Sequence, residues 1–178
     1  AHVIRAKAGA LLSKIAVVAL DNSLAGFAFA SGIPGTLGGA VVMNAGAYGG
    51  EMKDVLEEVT VMDAEGNVIC LKREELNLGY RTSIVKEKGY IVLEAVIRLK
   101  KGEASHIKEQ MDDFKERRTS KQPLDMPSAG STFKRPEGYF AGKLIMDTGL
   151  RGFRVGGAQI SEKHCGFVVN TGDATAED

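Results

Sequence analysis

Apolar and polar residues alternate from Val3 to Lys7, the period of a half-buried strand. From Ala10 to Leu20 the period becomes helical, with Leu11, Leu12, Ile15, Val18 and Ala19 at helical spacing and Asp21-Asn22 to stop the run. Strand character returns at Val55 to Met62, a turn follows at Ala64-Glu65-Gly66-Asn67, and Val68 to Leu71 is a second short strand. Lys88-Gly89 leads into the clearest strand, Tyr90 to Leu99. Ala104 to Ser120 reads as a helix with Ser105 as its N-cap and Ile107, Met111 and Phe114 as its apolar stripe. Arg118 falls on that stripe one turn later. Either it meets a partner there, because an unpaired inward charge is costly, or it simply ends the helix where a cation suits the dipole. Gln122 to Gly130, with Pro123 and Pro127, reads as a loop, Tyr139 to Asp147 as a short helix stopped by Gly149, and Phe153 to Val155 and Phe167 to Asn170 as strands. Composition shifts near Lys101-Gly102. The pattern is α+β in two parts, residues 1–102 and 103–178, with no internal repeat.

Composition removes several classes of function. The chain has 178 residues, 44% of them hydrophobic, which is enough to build a core. Lys+Arg and Asp+Glu both number 23, so no basic excess favours nucleic acid, and no nucleic-acid partner is expected. The best apolar run, Ile15 to Leu20, is far too short to cross a bilayer, and no secretory leader is recognisable, so no membrane partner and a cytoplasmic location are expected. Cys70 and Cys165 are too few for a zinc site or a disulfide framework; no metal is expected, and both read as packing residues. His2 and His106 carry no motif and read as surface residues.

Glycine is the outlier. Most of the 22 glycines lie between Gly32 and Gly50 or between Gly130 and Gly157. Ser31-Gly-Ile-Pro-Gly-Thr-Leu-Gly-Gly-Ala40 has neither the G-x-G-x-x-G spacing of a dinucleotide fold nor the G-K-[ST] of a P-loop. Its exposed N–H groups are suited to a pyrophosphate; equally, glycines so clustered serve a tight helix–strand junction.

Longer segments narrow the choice. Phe29-Ala-Ser-Gly-Ile-Pro-Gly-Thr-Leu-Gly-Gly-Ala-Val-Val-Met-Asn-Ala-Gly-Ala-Tyr-Gly49 resembles the flavin-binding signature of the UDP-N-acetylenolpyruvoylglucosamine reductases, within the vanillyl-alcohol-oxidase type of flavin fold. Leu78-Gly-Tyr-Arg-Thr-Ser83 resembles that family's Tyr-Arg-x-Ser motif. Arg117-Arg-Thr-Ser-Lys-Gln-Pro123 followed by Ser128-Ala-Gly-Ser-Thr-Phe-Lys-Arg-Pro136 resembles its Arg-x-x-Lys-x-Pro and Gly-Ser-x-Phe-Lys pair. Gly142 to Ile145 and Val155 to Asn170 continue the likeness. A flavin oxidase of the wider superfamily would share the glycine loop but not the paired motifs. A non-catalytic binding module is the other rival. The short passage from Tyr90–Leu99 to the helix at Ala104 lacks a tyrosine-bearing insertion, which resembles the second type of the family.

The resemblance implies the second half of an FAD-binding domain (1–102) followed by a small, incomplete α+β substrate-binding domain (103–178). It implies FAD as cofactor, NADPH as co-substrate, UDP-N-acetylglucosamine enolpyruvate as substrate and a monomer. By position, the cofactor would be held by Ser31, Gly32, Ile33, Pro34, Gly35, Thr36, Gly38, Gly39, Ala40, Asn44 and Gly46. Ser131 inherits the role of proton donor, and Arg81 that of the active-site cation. Tyr80, Arg118, Lys121, Arg135, Gln159 and Lys163 are substrate-binding candidates, with Arg135 where other members carry Asn. His164 is either a substrate contact or a structural histidine. The family pattern also includes a Gly-Ser-Asn-Leu-Leu-type loop before the Val3 strand, and a final helix and strand with a catalytic glutamate after Asp178. Glu177 does not replace that glutamate, so residues 1–178 alone are expected to be inactive or nearly so.

Overall fold

Residues 2–178 are described by the structure, a computed structural model. Strands β1 (Val3–Lys7), β2 (Leu56–Met62), β3 (Val68–Lys72) and β4 (Ile91–Arg98) make an antiparallel sheet in the order β1-β4-β2-β3. Register separates its two faces. Ala6, Ala95, Val59 and Leu71 align across the four strands on the covered face, where Val59, Val61 and Ile97 are fully buried. Burial of each such side chain stabilises the fold by roughly 1.5–3 kcal/mol. On the other face Lys7, Glu94, Thr60 and Cys70 form one row, and Arg5, Val96, Glu58 and Lys72 the next.

That parity corrects one expectation. Cys70 is exposed on the charged face, while Cys165 is buried. Val68-Ile69-Cys70-Leu71 is a continuous apolar run, so nothing in it marks which residues face inward.

Helix α1 (Leu12–Asp21) turns Leu12, Ile15, Ala16 and Ala19 onto the sheet. It begins later than Ala10 because Leu11 is extended and bridges to Thr36. Asn22 closes it, donating its side-chain amide to the Val18 carbonyl at 2.8 Å. Within the glycine-rich stretch a short helix, α2 (Leu37–Val42), buries Leu37, Ala40 and Val41; glycine content hid it from periodicity. Helix α3 (Ala104–Lys121) starts at Ala104, so Ser105 lies inside it and is not the N-cap. The Gly102 N–H bonds the Ser23 carbonyl at 2.9 Å, and the Glu103 carbonyl accepts the Ile107 N–H at 3.0 Å, so the helix begins two residues earlier than a Ser105 cap would allow.

Two packing units emerge, one running to Lys115 and the other from Glu116 to Asp178. They divide inside α3, downstream of the composition shift at Lys101-Gly102, because Met111 and Phe114 pack on the core of the first unit and Ile107 is buried.

In the second unit β5 (Ser128–Ser131), β6 (Arg154–Val155), β7 (Ala158–Ile160) and β8 (Phe167–Asn170) pair in the order β6-β7-β8-β5. The loop expected from Gln122 to Gly130 thus ends in a strand, whose Ser-Ala-Gly-Ser sequence has no apolar alternation to reveal it. Cys165, Phe167 and Val169 form the buried centre. Helix α4 (Ala141–Asp147) buries none of its residues and carries a Lys143–Asp147 ion pair.

The open face of the first sheet carries a charge network. Glu94 accepts from Lys7 and Arg5 at 2.8 and 2.6 Å, and Glu58 accepts from Lys72 and Arg5 at 2.6 and 3.3 Å. Hydrogen bonds from Lys7 and then Arg5 hold the Glu94 carboxyl below the usual carboxylate range; Lys72 and then Arg5 do the same for Glu58. Groups lowered in this way stabilise the fold above their ordinary pKa, and that contribution disappears as pH falls through the lowered values. We predict a melting temperature insensitive to these groups from pH 7 to 5 and falling below about pH 4. Glu94→Gln should make the acid fall shallower, and an unchanged acid slope in that variant would contradict the linkage.

Candidate functional site

The glycine-rich loop is built by docking onto the turn between β1 and α1. The Gly38 N–H bonds the Ala8 carbonyl at 2.8 Å, the Leu37 N–H bonds the Ala10 carbonyl at 2.9 Å, and the Gly35 carbonyl accepts the Leu12 N–H at 3.1 Å. A Cβ on Gly38 would stand 3.0 Å from the Ala8 Cβ and 3.4 Å from its carbonyl oxygen. Gly38 therefore serves chain-to-chain contact, and its N–H is not free for a ligand. The rest of the loop faces the other way. Among the described residues, the backbone N–H groups of Gly32, Gly35, Thr36 and Gly39 have no hydrogen-bond partner. Gly35 and Gly39 are exposed, and a Cβ on either would meet nothing within 4 Å. Open backbone donors beside a surface kept clear of side chains fit an anionic pyrophosphate. Of the other loop candidates, Ser31 donates its hydroxyl to the Ala28 carbonyl at 2.8 Å. The Ile33 and Ala40 N–H groups bond the carbonyls of Ala30 and Thr36, and Pro34 has no N–H to offer.

Asn44, expected as a cofactor contact, has its side chain engaged within the protein. It is fully buried at φ +40°, and its side chain is taken up internally. The amide nitrogen donates to Glu51 at 2.6 Å and to the Gly79 carbonyl at 3.0 Å, while the oxygen accepts the Lys53 N–H at 2.9 Å. Gly46 pairs with Glu51, and a Cβ there would fall 2.7 Å from the Gly50 carbonyl oxygen.

Arg81 sits in a four-residue turn from Gly79 to Thr82, closed by the Thr82 N–H to the Gly79 carbonyl at 3.4 Å. Arg81 takes φ +58° at the third position, where type II turns favour glycine. A left-handed arginine costs on the order of 1–3 kcal/mol and persists only where its surroundings hold it. Its guanidinium donates to the Gly46 carbonyl at 3.2 Å and lies 4.9 Å from the centre of the Tyr80 ring, which is itself exposed. Ser83, fully buried, donates to the Val42 carbonyl at 2.8 Å. Tyr48, also left-handed at φ +54°, stacks on Phe114 with ring centres 4.5 Å apart. Sequence reasoning passed over Ser83, Glu51 and Tyr48 as contributors; the Asn and Tyr within Met43 to Gly49 were the available signal.

In the second unit Ser131 ends β5 in register with Phe167, and its side chain is exposed. Its Oγ lies 3.3 Å from where a Cβ on Gly166 would stand, so glycine is what leaves the hydroxyl open there. His164 accepts the Gly166 N–H on Nδ1 at 3.1 Å and packs edge-on to Phe167, which favours the structural reading of that histidine. Lys163 donates to the Thr119 carbonyl at 2.9 Å, tying its turn to the end of α3. There Arg118 donates to Gln122 at 3.3 Å while its buried Nε has no partner. Lys121 on the next turn is exposed. Gln159 donates to the Gly152 carbonyl at 3.1 Å, and Arg135 bonds the Tyr139 carbonyl and lies 3.9 Å from the Phe140 ring centre. Ser131 and His164 both lie beside Gly166, and Lys163 reaches the end of α3 that carries Arg118. Among the described residues no three His, Cys, Asp or Glu side chains group to hold a metal, and no helix is long and apolar enough to cross a membrane.

Comparison with known proteins supplies the family. A model described as an FAD binding domain matches residues 1–72, and one described as the C-terminal domain of UDP-N-acetylenolpyruvoylglucosamine reductase matches residues 122–178. The chain is 63% identical over 177 residues to the UDP-N-acetylenolpyruvoylglucosamine reductase of Agathobacter rectalis, covering 99% of this chain and 56% of that protein. It is 61% identical to the Clostridium perfringens enzyme, covering 99% of this chain and 58% of the relative. The chain therefore spans little more than half the length of these relatives. A crystal structure of the reductase from Thermus caldophilus superposes with a TM-score of 0.90 at 41% identity, over 98% of this chain and 64% of that one. Likeness at this level runs through both packing units, and the chain belongs to the UDP-N-acetylenolpyruvoylglucosamine reductase family.

Proposed function

We propose that this chain is the flavin- and substrate-binding core of an enzyme that uses NADPH to reduce the enolpyruvyl double bond of UDP-N-acetylglucosamine enolpyruvate. The product is UDP-N-acetylmuramate, for peptidoglycan precursor synthesis. The observation that carries this reading is the glycine loop, whose open amides at Gly32, Gly35, Thr36 and Gly39 lie within a segment shared with the reductases. FAD bound there supplies hydride chemistry. The residues of the chain account for the rest. Arg81 offers a fixed cation to the substrate carboxylate and to the negative charge that develops beside it. The Ser131 hydroxyl delivers the proton; because serine is a weak acid, a neighbouring cation must lower the cost of that transfer. Arg118, Lys121, Lys163 and Arg135 offer positive charge to the UDP-sugar, with Gln159 and Tyr80 as polar and aromatic contacts.

On this reading the FAD-binding part ends near residue 102, and the helix that follows belongs functionally to the substrate-binding part. The enzyme acts as a cytoplasmic monomer, with neither nucleic acid nor membrane as partner. The shortness of the passage from β4 to α3 favours the second type of the family.

Three substitutions, made in the full-length enzyme that contains this chain, test the assignment. Gly39→Val adds a side chain on the open side of the loop, where nothing in the protein opposes it. Flavin retention should fall while the melting temperature of the flavin-free protein stays near that of the parent; full flavin absorbance in the variant would remove the loop from the cofactor site. Gly38→Val should instead lower stability, through its contact with Ala8. Ser131→Ala should leave NADPH consumption with an artificial electron acceptor unchanged. Formation of UDP-N-acetylmuramate should slow by about 10²–10⁴, the usual worth of general acid catalysis. Stopped-flow traces with both half-reactions slowed equally would count against the proton-donor role.

A further inference from the structure

Three alternate residues of one segment hold three alternate residues of another. The Val42 carbonyl accepts the Ser83 hydroxyl at 2.8 Å, the Asn44 side chain donates to the Gly79 carbonyl at 3.0 Å, and the Gly46 carbonyl accepts the Arg81 guanidinium at 3.2 Å. The two anchors on either side of Arg81 use fully buried polar side chains, Asn44 and Ser83. Asn44 is braced in turn by Glu51 and by the Lys53 N–H. Ser83 also accepts the Lys86 N–H at 3.4 Å, capping the single helical turn Ile84–Glu87. Arg81 lies between these anchors in a left-handed conformation that its own side chain does not favour.

We propose that Asn44 and Ser83 are positioning residues. They clamp the Gly79–Thr82 turn onto the Val42–Gly46 segment and so fix where the Arg81 guanidinium points. The physical logic is pre-organisation. A strained turn relaxes unless its ends are held, and a cation displaced by about 1 Å from a reacting carboxylate can lose up to about a hundredfold in rate. Neither residue touches a ligand on this account; both act through Arg81. The kinetic consequence rests on the role given to Arg81 above. The clamp itself does not.

The experiment has two arms. In the first, the flavin-free protein is treated briefly with trypsin under native conditions, and cleavage after Arg81 is read by mass spectrometry against cleavage after the exposed Arg73. Ser83→Ala and Asn44→Gly should each raise the ratio about tenfold or more, as local opening of the turn requires. Ser83→Thr, which keeps the hydroxyl, should restore it. Asn44→Gly is chosen because glycine accepts the left-handed backbone there. A rise at both sites in parallel would mean general loosening and would overturn the clamp, as would no rise at all. The second arm uses the active holoenzyme. Ser83→Ala should reduce turnover of the enolpyruvyl substrate about tenfold while NADPH consumption with an artificial acceptor is unchanged. Added to Arg81→Ala, it should cost less than about twofold more, because residues acting as a unit are not additive. A full additional loss in the double variant would overturn the proposal. If the unsubstituted full-length enzyme that contains this chain does not turn over the substrate at all, the proposed function fails, and the trypsin arm still decides whether the clamp exists.

Discussion

Close backbone approach at Gly38 is the constraint on which the first unit is organised. Its N–H reaches the Ala8 carbonyl at 2.8 Å because no Cβ keeps the two segments apart. Once that contact forms, the neighbouring bonds follow: Leu37 to Ala10, and Leu12 back to Gly35. The loop then satisfies the first N–H of α1, while the turn before α1 satisfies the first N–H groups of α2. Each short helix thereby gains at its amino end what an isolated segment would have to find in water. The remaining amides face outward because their inward neighbours are occupied. The packing contact at Gly38 and the open amides at Gly35 and Gly39 thus lie on opposite sides of one loop.

Much of the fold was readable from periodicity. Val3–Lys7 and Phe167–Asn170 are strands over the expected residues, and α1, α3 and the long strand ending near Leu99 differ by a residue or two at their ends. The failures share a cause. Helix α2 is written Leu-Gly-Gly-Ala-Val-Val, and β5 is Ser-Ala-Gly-Ser; neither sequence carries a period, because both are set by long-range contact rather than by local preference. Ser105 was mistaken for a cap because its type suits the position, yet the helix already begins at Ala104. Strand parity at Cys70 was illegible for want of any polar residue beside it.

A motif match names candidate residues without saying what work each of them does in the fold. Asn44 lies inside the glycine-rich signature and was grouped with cofactor contacts, but its amide joins Glu51, Gly79 and Lys53. Gly38 lies in the same signature and serves packing. Ser83 ends the Tyr-Arg-x-Ser motif and was left without a role, although it is the buried member of the four. A motif preserves spacing along the chain. Which side of the backbone each residue faces is decided by tertiary contact, and it separates a ligand contact from a brace.

The unequal placement of the two cysteines has a practical side. Cys165 is buried at 6% exposure, while Cys70 stands on the open face of the sheet beside Thr60 and the Lys72–Glu58 pair. A thiol-reactive dye applied to the folded protein would therefore attach at one position without any engineered change. There it would report on the face opposite the core, away from the row of Ala6, Ala95, Val59 and Leu71 that packs beneath. Uptake of a second label would mark exposure of Cys165, giving opening of the smaller unit an optical signal of its own.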